Sequence, residues 1–330
     1  MDSEEIELRV VDLKKWFPVR RGIFSSLLGR KTQHVKAVDG VSFNVRRGEI
    51  FGLAGESGCG KTTAGKTILR LLEPTGGEIY FQGQNITDIG KKDMKELRRK
   101  MQIIYQDPYE SLNPRMTVYD IIAEPINIHG LASTPSEMED LIYKSLDDVE
   151  LAPPEDFITR FPHELSGGQR QRVAVARSLV MNPSFIVADE PISMLDVSIR
   201  AGLLKVMFKS REAKGDTYIF ITHDLAYARH ICDRGAIMYL GKIVELGTMD
   251  DLVKNPLHPY TIALMVAVPV PDPRLEKARA IIGGEVPTPI DPPPGCRFHP
   301  RCSRATERCR SELPQLVEIE TGHFVACHNL

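Results

Sequence analysis

The 330-residue sequence has no apolar run approaching the roughly 18–20 residues needed to span a bilayer. Its opening, MDSEEIELRV, has neither the basic n-region nor the apolar h-region of a secretory signal. There is no excess of positive charge: 42 Lys and Arg against 44 Asp and Glu leave a formal net charge of −2. That excludes a basic footprint for nucleic acid and a polybasic membrane anchor. No internal repeat and no heptad run are found. Cysteine is scarce, with six in the chain. The sequence therefore reads as soluble and cytoplasmic, and in a reducing cytosol clustered cysteines point to metal before disulfide. An apolar share of 42% and a charged share of 26% fit an ordered chain of about two domains.

What is present divides into segments of distinct pattern. "IELRVVDLKKWF" and "VKAVDGVSFNV" alternate with period two, predicting an antiparallel sheet. The loop between them holds a short apolar stretch, residues 23–28, which reads as local packing, with contact to a partner or membrane surface as the alternative. "EIFGLAG" is continuously apolar, and a helical pattern follows it with Ile68, Leu71 and Leu72 on one face. Residues 91–180 are rich in helix formers, broken by "DPYESLNPR" and "LAPPEDF". "SFIVADE" and "TYIFITHD" are further buried-strand patterns. Strands alternating with helices predict a parallel α/β sheet with its ligand at the strands' C-terminal ends. "GAIMYLGKIVELG" predicts a hairpin turning at Gly-Lys, and beyond about Asn255 the proline runs "VPVPDP" and "VPTPIDPPPG" punctuate the chain.

"GESGCGKT", residues 55–62, fits G-x-x-x-x-G-K-[ST] between a buried strand and a helix. Backbone N–H groups of Gly55, Glu56, Ser57, Gly58, Cys59 and Gly60 would wrap phosphate oxygens at a helix N-terminus. Lys61 would reach the β- and γ-phosphates and Thr62 would ligate Mg²⁺, with Thr63 adjoining the site. "FIVADE" ends in Asp189, a second Mg²⁺ residue, and Glu190, the candidate general base that polarises the attacking water. "LSGGQRQRVAVARSL" begins with Leu165, Ser166, Gly167, Gly168 and Gln169, a second phosphate-binding helix terminus. Since one molecule needs only one such end, the second implies phosphate sandwiched between two molecules.

With these motifs in this order, the chain resembles the nucleotide-binding subunits of ABC transporters over nearly its whole length. The resemblance implies an α/β P-loop NTPase: a RecA-like core with an antiparallel β subdomain and a helical subdomain, plus a small Cys-rich C-terminal extension. It places the ATPase domain at residues 1–255, the helical subdomain at about 107–180 and the extension at 256–330. It further implies that Gln106 in "YQDP" senses Mg²⁺ and the γ-phosphate, that Asp196 in "SMLD" bridges a dimer, and that His223 in "THD" contacts the γ-phosphate. Met194 departs from the common "SALD". The adenine-stacking aromatic falls best on Phe17, with Trp16 the runner-up, and only one can face the base because neighbours on a strand point opposite ways.

"YESLNPRMTVYDIIAEP", "RFPHELSGGQRQR" and "NPLHPYTIALMVAVPVPDP" are similar to the dipeptide and oligopeptide importer group. That likeness implies a paralogous ATPase partner, two membrane permeases and an external binding protein, at the cytoplasmic face of the membrane. Nickel and oligosaccharide importers share the group, so the motor sequence alone leaves the substrate open. A soluble iron–sulfur ABC ATPase usually carries two cores or long coiled-coil insertions, and neither is found. A redox protein would need a second cofactor site.

The remaining signal is "GCRFHPRCSRATERCR". Cys296, Cys302, Cys309 and Cys327 are separated by five, six and seventeen residues. Cys59 and Cys232 stand apart, the latter as a core thiol. So short a segment rarely folds without a staple, and four thiols suit zinc or a [4Fe–4S] cluster. The spacing lacks the close ligand pairs that zinc favours, although His299, His323 and His328 are spare ligands. The resemblance to importer subunits with this tail favours the cluster.

Overall fold

The computed structural model describes residues 5–19, 33–193, 195–267, 287–290 and 292–330. The apolar stretch at 23–28, Met194 and the proline run at 268–273 lie outside the described residues. Two compact units are present. One comprises the residues up to Asp88 together with those from Phe220 onward, and the other is Ile89–Ile219.

The alternating segments become β1 (Ile6–Pro18) and β2 (His34–Arg46), paired antiparallel with Leu8 opposite Val45 and Trp16 opposite Lys36. Leu8 and Val10 on β1 and Val41, Phe43 and Val45 on β2 are buried at alternate positions, while Leu13 and Val38 are buried out of step, where the pairing shifts register. The apolar run is β3 (Ile50–Ala54), buried at all five positions, and it leads into α1 (Lys61–Ile68). β4 (Gly76–Phe81) and β5 (Gln84–Asn85) complete an antiparallel sheet of order β2-β1-β4-β5. α1 stops at Ile68, short of the helical pattern read through Leu72. Arg70 takes a φ of 52° and turns its guanidinium onto the carbonyls of Ile86 and Thr87 and the Glu73 carboxylate. Leu71 is consequently 41% exposed.

The second unit runs through α2 (Lys91–Lys100), β6 (Met101–Ile104), α3 (Pro108–Ser111), α4 (Val118–His129), α5 (Pro135–Asp148), α6 (Glu155–Ile158), α7 (Gly167–Leu179), β7 (Phe185–Asp189) and α8 (Val197–Lys214). β6 is a strand inside a stretch that reads as helix former. Four residues carry no period of their own, and pairing decides the outcome: β6 lies parallel to β7, with Met101 opposite Phe185 and Ile104 opposite Ala188. α7 lies against this pair, Ser178 Oγ donating to the Ile103 carbonyl at 3.1 Å and Gln171 Nε2 to that of Tyr105 at 3.2 Å. Thr117 and Thr134 cap α4 and α5 by accepting from Asp120 N and Glu137 N.

β8 (Thr217–Thr222), buried throughout, carries the chain back into the first unit. There follow α9 (Leu225–Ala228), β9 (Arg234–Tyr239), β10 (Lys242–Thr248), α10 (Met249–Lys254), α11 (Pro259–Ala267), α12 (Glu307–Ser311), β11 (Val317–Glu320) and β12 (His323–Val325). β9 pairs parallel with β3 and antiparallel with β10. The hairpin turns at Leu240-Gly241, both at positive φ, one residue earlier than expected. The Cys-rich segment joins the core by strand addition, with β12 pairing to β10 through Glu245–Val325 and Leu246–Phe324. The first unit's strands thus neighbour one another as β11-β12-β10-β9-β3. Among the described residues no helix is long and apolar enough to cross a membrane.

Candidate functional site

Residues 55–62 form the turn between β3 and α1. Gly60 has a φ of 109° and is the N-cap of α1, and a Cβ there would lie 2.0 Å from the Ala37 carbonyl oxygen. That backbone approach demands glycine. Lys61 is 4% exposed, and its Nζ donates to the carbonyls of Gly55 at 2.7 Å and Glu56 at 3.0 Å, which lays the ammonium across the loop. Burial pushes the Cys59 thiol up, so it is an inert neighbour rather than a nucleophile. Thr62 and Thr63 lie half-buried in the first turn of α1. His223 is exposed directly after β8, and the next residue, Asp224, accepts from Tyr227 N at 3.0 Å to cap α9.

In the second unit, the parallel register of β6 and β7 delivers Gln106 and Glu190 to the same end of the pair. Gln106 Nε2 donates to Glu190 Oε2 at 3.3 Å across 84 residues of sequence. Asp189, the last residue of β7, is 3% exposed. Glu190 then takes a φ of 46°, and its carbonyl accepts from Ser193 N at 3.2 Å and Ser193 Oγ at 3.0 Å. A non-glycine residue in this conformation is strained, and strain of this kind concentrates where a side chain must point in one direction.

The motif at residues 165–169 has Leu165 buried and Ser166 and Gly167 exposed. Ser166 caps α7: Gln169 N donates to its Oγ at 3.3 Å, while Ser166 N donates to Gln169 Oε1 at 2.9 Å. The cap uses Oγ as an acceptor, so the hydroxyl proton can be given to an incoming oxygen. A Cβ on Gly168 would sit 2.7 Å from Ile199 Cδ1. Asp196 is the exposed N-cap residue of α8 and makes no side-chain cap bond.

Trp16 and Phe17 differ in their restraints. The Trp16 indole N–H donates to Asp39 Oδ1 at 2.9 Å, with Lys36 Nζ 4.8 Å from the ring centroid. Phe17 has Lys15 Nζ at 5.1 Å. Three further residues of this unit carried no sequence signal. Arg301 gives two bonds to the Glu56 carboxylate, at 2.8 and 3.1 Å. The Tyr260 hydroxyl accepts from Glu56 N at 2.8 Å. Arg297 donates to Asp39 Oδ2 and to the Leu240 carbonyl. The density of arginine between the cysteines is the one clue in the sequence, but it names no partner.

Cys296, Cys302, Cys309 and Cys327 line one cavity, together with His258, Phe298 and Asn329. Burial pushes the Cys296 thiol up to about 11 and raises Cys302 and Cys327 as well. The three spare histidines have other work: His299 Nδ1 lies 2.9 Å from the Cys296 carbonyl oxygen, His328 Nε2 3.0 Å from that of Glu312, and His323 Nε2 2.8 Å from the buried Glu245 carboxylate. Among the described residues no group of three or more His, Cys, Asp or Glu stands in metal-ligating geometry. The four thiols share a cavity without being poised as ligands.

Residues 38–193 match the ABC transporter family and residues 244–309 match the oligopeptide/dipeptide transporter C-terminal region. The chain is 47% identical to the oligopeptide transport ATP-binding protein AppF of Bacillus subtilis (strain 168), over 99% of this chain and 98% of that protein. It is 43% identical to the dipeptide transport ATP-binding protein DppF of Haemophilus influenzae, over 98% and 96%. Among solved structures it resembles a dimeric post-hydrolysis state of the ATP-binding cassette MJ0796 bound to ADP and Pi. There the TM-score is 0.63 and the identity 28%, over 73% of this chain and 98% of that one. It also resembles cbiO1 from Clostridium perfringens, part of the ABC transporter complex cbiONQ, with a TM-score of 0.63 and 27% identity over 76% and 92%. On this sequence identity, fold and motif set, the chain belongs to the ATP-binding subunits of ABC transporters, in the group with the oligopeptide/dipeptide C-terminal region.

Proposed function

We propose that this chain binds and hydrolyses ATP as the motor subunit of an importer of dipeptides and oligopeptides. The relatives' names favour peptide over nickel or oligosaccharide. One observation carries the mechanism: the chain owns a phosphate loop with its own lysine, and separately offers an exposed Ser166–Gly167 helix terminus. A second subunit, read as a paralogue, would bring its own such terminus to the ATP held at residues 55–62, while Ser166 here serves the partner's ATP. Two permeases would receive the motion, placing the subunit at the cytoplasmic face of the membrane.

In this reading Gly55 to Thr63 hold the phosphates, with Lys61 on the β- and γ-oxygens and Phe17 against adenine. Phe17 is preferred because the Trp16 indole is already tied to Asp39. Thr62, Asp189 and Gln106 are the Mg²⁺ residues, and the ion when bound neutralises charge on the phosphates. Glu190, aimed by its backbone and by Gln106, takes the proton of the attacking water. His223 contacts the γ-phosphate and Asp196 the partner. Reconstitution with the permease pair in lipid vesicles checks the whole reading. ATP turnover should rise when peptide and its binding protein are added, and no rise with peptide but a rise with nickel or an oligosaccharide would reassign the substrate.

We further propose that the four tail cysteines hold a [4Fe–4S] cluster, with zinc as the alternative. The lining of one cavity by all four thiols supports a metal group, which on binding would have to draw them into ligating geometry, and a spacing without close cysteine pairs favours the cluster over zinc. Such a group supplies folding energy to a short segment. Protein purified without oxygen should contain about four irons and four acid-labile sulfides per chain, lost on Cys302→Ser. Stoichiometric zinc in a colourless sample would replace the cluster with a structural ion.

A further inference from the structure

We infer that the turn between Cys296 and Cys302, together with Tyr260, positions the phosphate loop for ATP, which makes Arg301 and Tyr260 positioning residues of the ATPase reaction. Three contacts converge on one loop residue, Glu56. Its carboxylate takes two bonds from Arg301, its N–H donates to the Tyr260 hydroxyl, and its carbonyl accepts from Lys61 Nζ. Lys61 is the ammonium that meets the phosphates, so the peptide that parks it is fixed from the far side by the tail.

Arg301 is itself held. Its side chain is 7% exposed, its Nη1 lies 3.4 Å from the Tyr239 hydroxyl, and its guanidinium carbon lies 5.8 and 6.0 Å from the Tyr239 and Phe298 ring centroids. The pairing matters because Glu56 puts a negative charge on a loop built to receive an anion. A bidentate guanidinium both cancels that charge and holds the carboxylate in one orientation. Without it, ATP approaches an uncompensated carboxylate on a loop free to turn.

Tyr260 is aimed by a separate buried network. Glu245 is fully buried and accepts from Leu257 N at 2.9 Å and His258 N at 3.0 Å, while His323 Nε2 lies 2.8 Å away. His258 Nδ1 in turn accepts from Tyr260 N at 3.0 Å. The Tyr260 ring packs against Tyr239 and Phe298 with centroids 4.6 and 5.4 Å apart, which fixes where its hydroxyl can reach. At the other end of the Cys296–Cys302 turn, Arg297 bonds the same Asp39 that restrains Trp16, beside Phe17. One short turn therefore reaches both the phosphate loop and the strand that carries the aromatic pair.

The inference rests on ATP binding at residues 55–62, and the test separates the two. Full-length chain is titrated with a fluorescent ATP analogue as wild type, Arg301→Gln, Arg301→Lys and Tyr260→Phe, with metal content and thermal midpoint measured on each. Arg301→Gln should weaken binding about tenfold, the scale of a lost charge-assisted pair. Arg301→Lys should fall between, because it keeps the charge and loses the fork. Tyr260→Phe keeps the ring packing and loses only an acceptor, so it should weaken binding about threefold while the thermal midpoint falls by no more than about 2–4 °C and metal content is unchanged. In steady-state assays KM for ATP should rise while kcat at saturating ATP is kept. Binding within about twofold of wild type in both Arg301→Gln and Tyr260→Phe overturns the proposal, since neutral effects lie inside that range. So does weakened binding that appears in Tyr260→Phe only alongside a thermal midpoint lowered by more than about 4 °C, which marks a structural role. A wild-type chain that binds no ATP overturns the ATP reading itself, and is recognised because the variants then have nothing to lose.

Discussion

Glu190→Gln is expected to lower kcat for ATP hydrolysis by about 10²–10⁴-fold, the range a positioned general base contributes, while leaving ATP affinity nearly unchanged. The substitution is almost isosteric. The amide oxygen can keep the bond from Gln106 Nε2 that the carboxylate Oε2 accepts at 3.3 Å. The backbone at φ 46° and the two bonds from Ser193 to the Glu190 carbonyl involve no side-chain atom of Glu190, so the local turn survives. What is removed is the group able to take a proton from water. ATP should therefore accumulate unhydrolysed, and with the partner subunit added a dimer should appear on size-exclusion chromatography only when ATP and Mg²⁺ are present. If hydrolysis stays above about a tenth of wild type, a loss too small for a general base, Glu190 has another role.

Gly60→Ala is expected to abolish measurable nucleotide binding. A φ of 109° is unfavourable for alanine, and strain of this kind costs about 1–3 kcal/mol. The larger problem is space. The new Cβ would stand 2.0 Å from the Ala37 carbonyl oxygen and 2.9 Å from Met238 Cε. The methionine can swing away, but the Ala37 carbonyl belongs to β2, so the loop must move instead and Lys61 moves with it. Gly58→Ala is the matched control. Gly58 also has a positive φ, of 78°, yet a Cβ there would meet no atom within 4 Å. It should lose stability on the order of 1–2 kcal/mol from conformation alone and keep most of its ATP affinity. Thermal melts and nucleotide titration of the pair separate strain from collision, and equal binding by the two variants would show that the collision is relieved elsewhere.

Legibility in the sequence followed the range of the interactions involved. β3, β7 and β8 could be read because a strand buried on both faces is written as an unbroken apolar run. The Ser166 cap could be read because its partner Gln169 is three residues away. β6 could not, since its four residues are strand only through their register with β7, some 84 positions downstream. The end of α1 escapes a local reading for a similar reason: Arg70 leaves the helix to satisfy carbonyls at Ile86 and Thr87. Arg301 and Glu56 stand 245 residues apart. No local pattern records that pair, and four cysteines in the same stretch draw the eye toward metal and away from the arginines between them.

The addition of β12 to β10 also decides which surface faces other molecules. The outermost strand is now β11, four residues long, with Glu318 and Glu320 alternating with Val317 and Ile319 and all four exposed. A short, acidic border is a poor template for a foreign strand. A chain cut before Gly295 would instead end its sheet at β10, seven residues of which the five from Ile243 to Gly247 are buried, with the Glu245 carboxylate stripped of His323. Such a border invites pairing between copies, so the shortened protein is expected to aggregate, seen as loss of the monomer peak on size-exclusion chromatography. In backbone terms the cysteine segment caps the edge of β10, whatever its thiols bind.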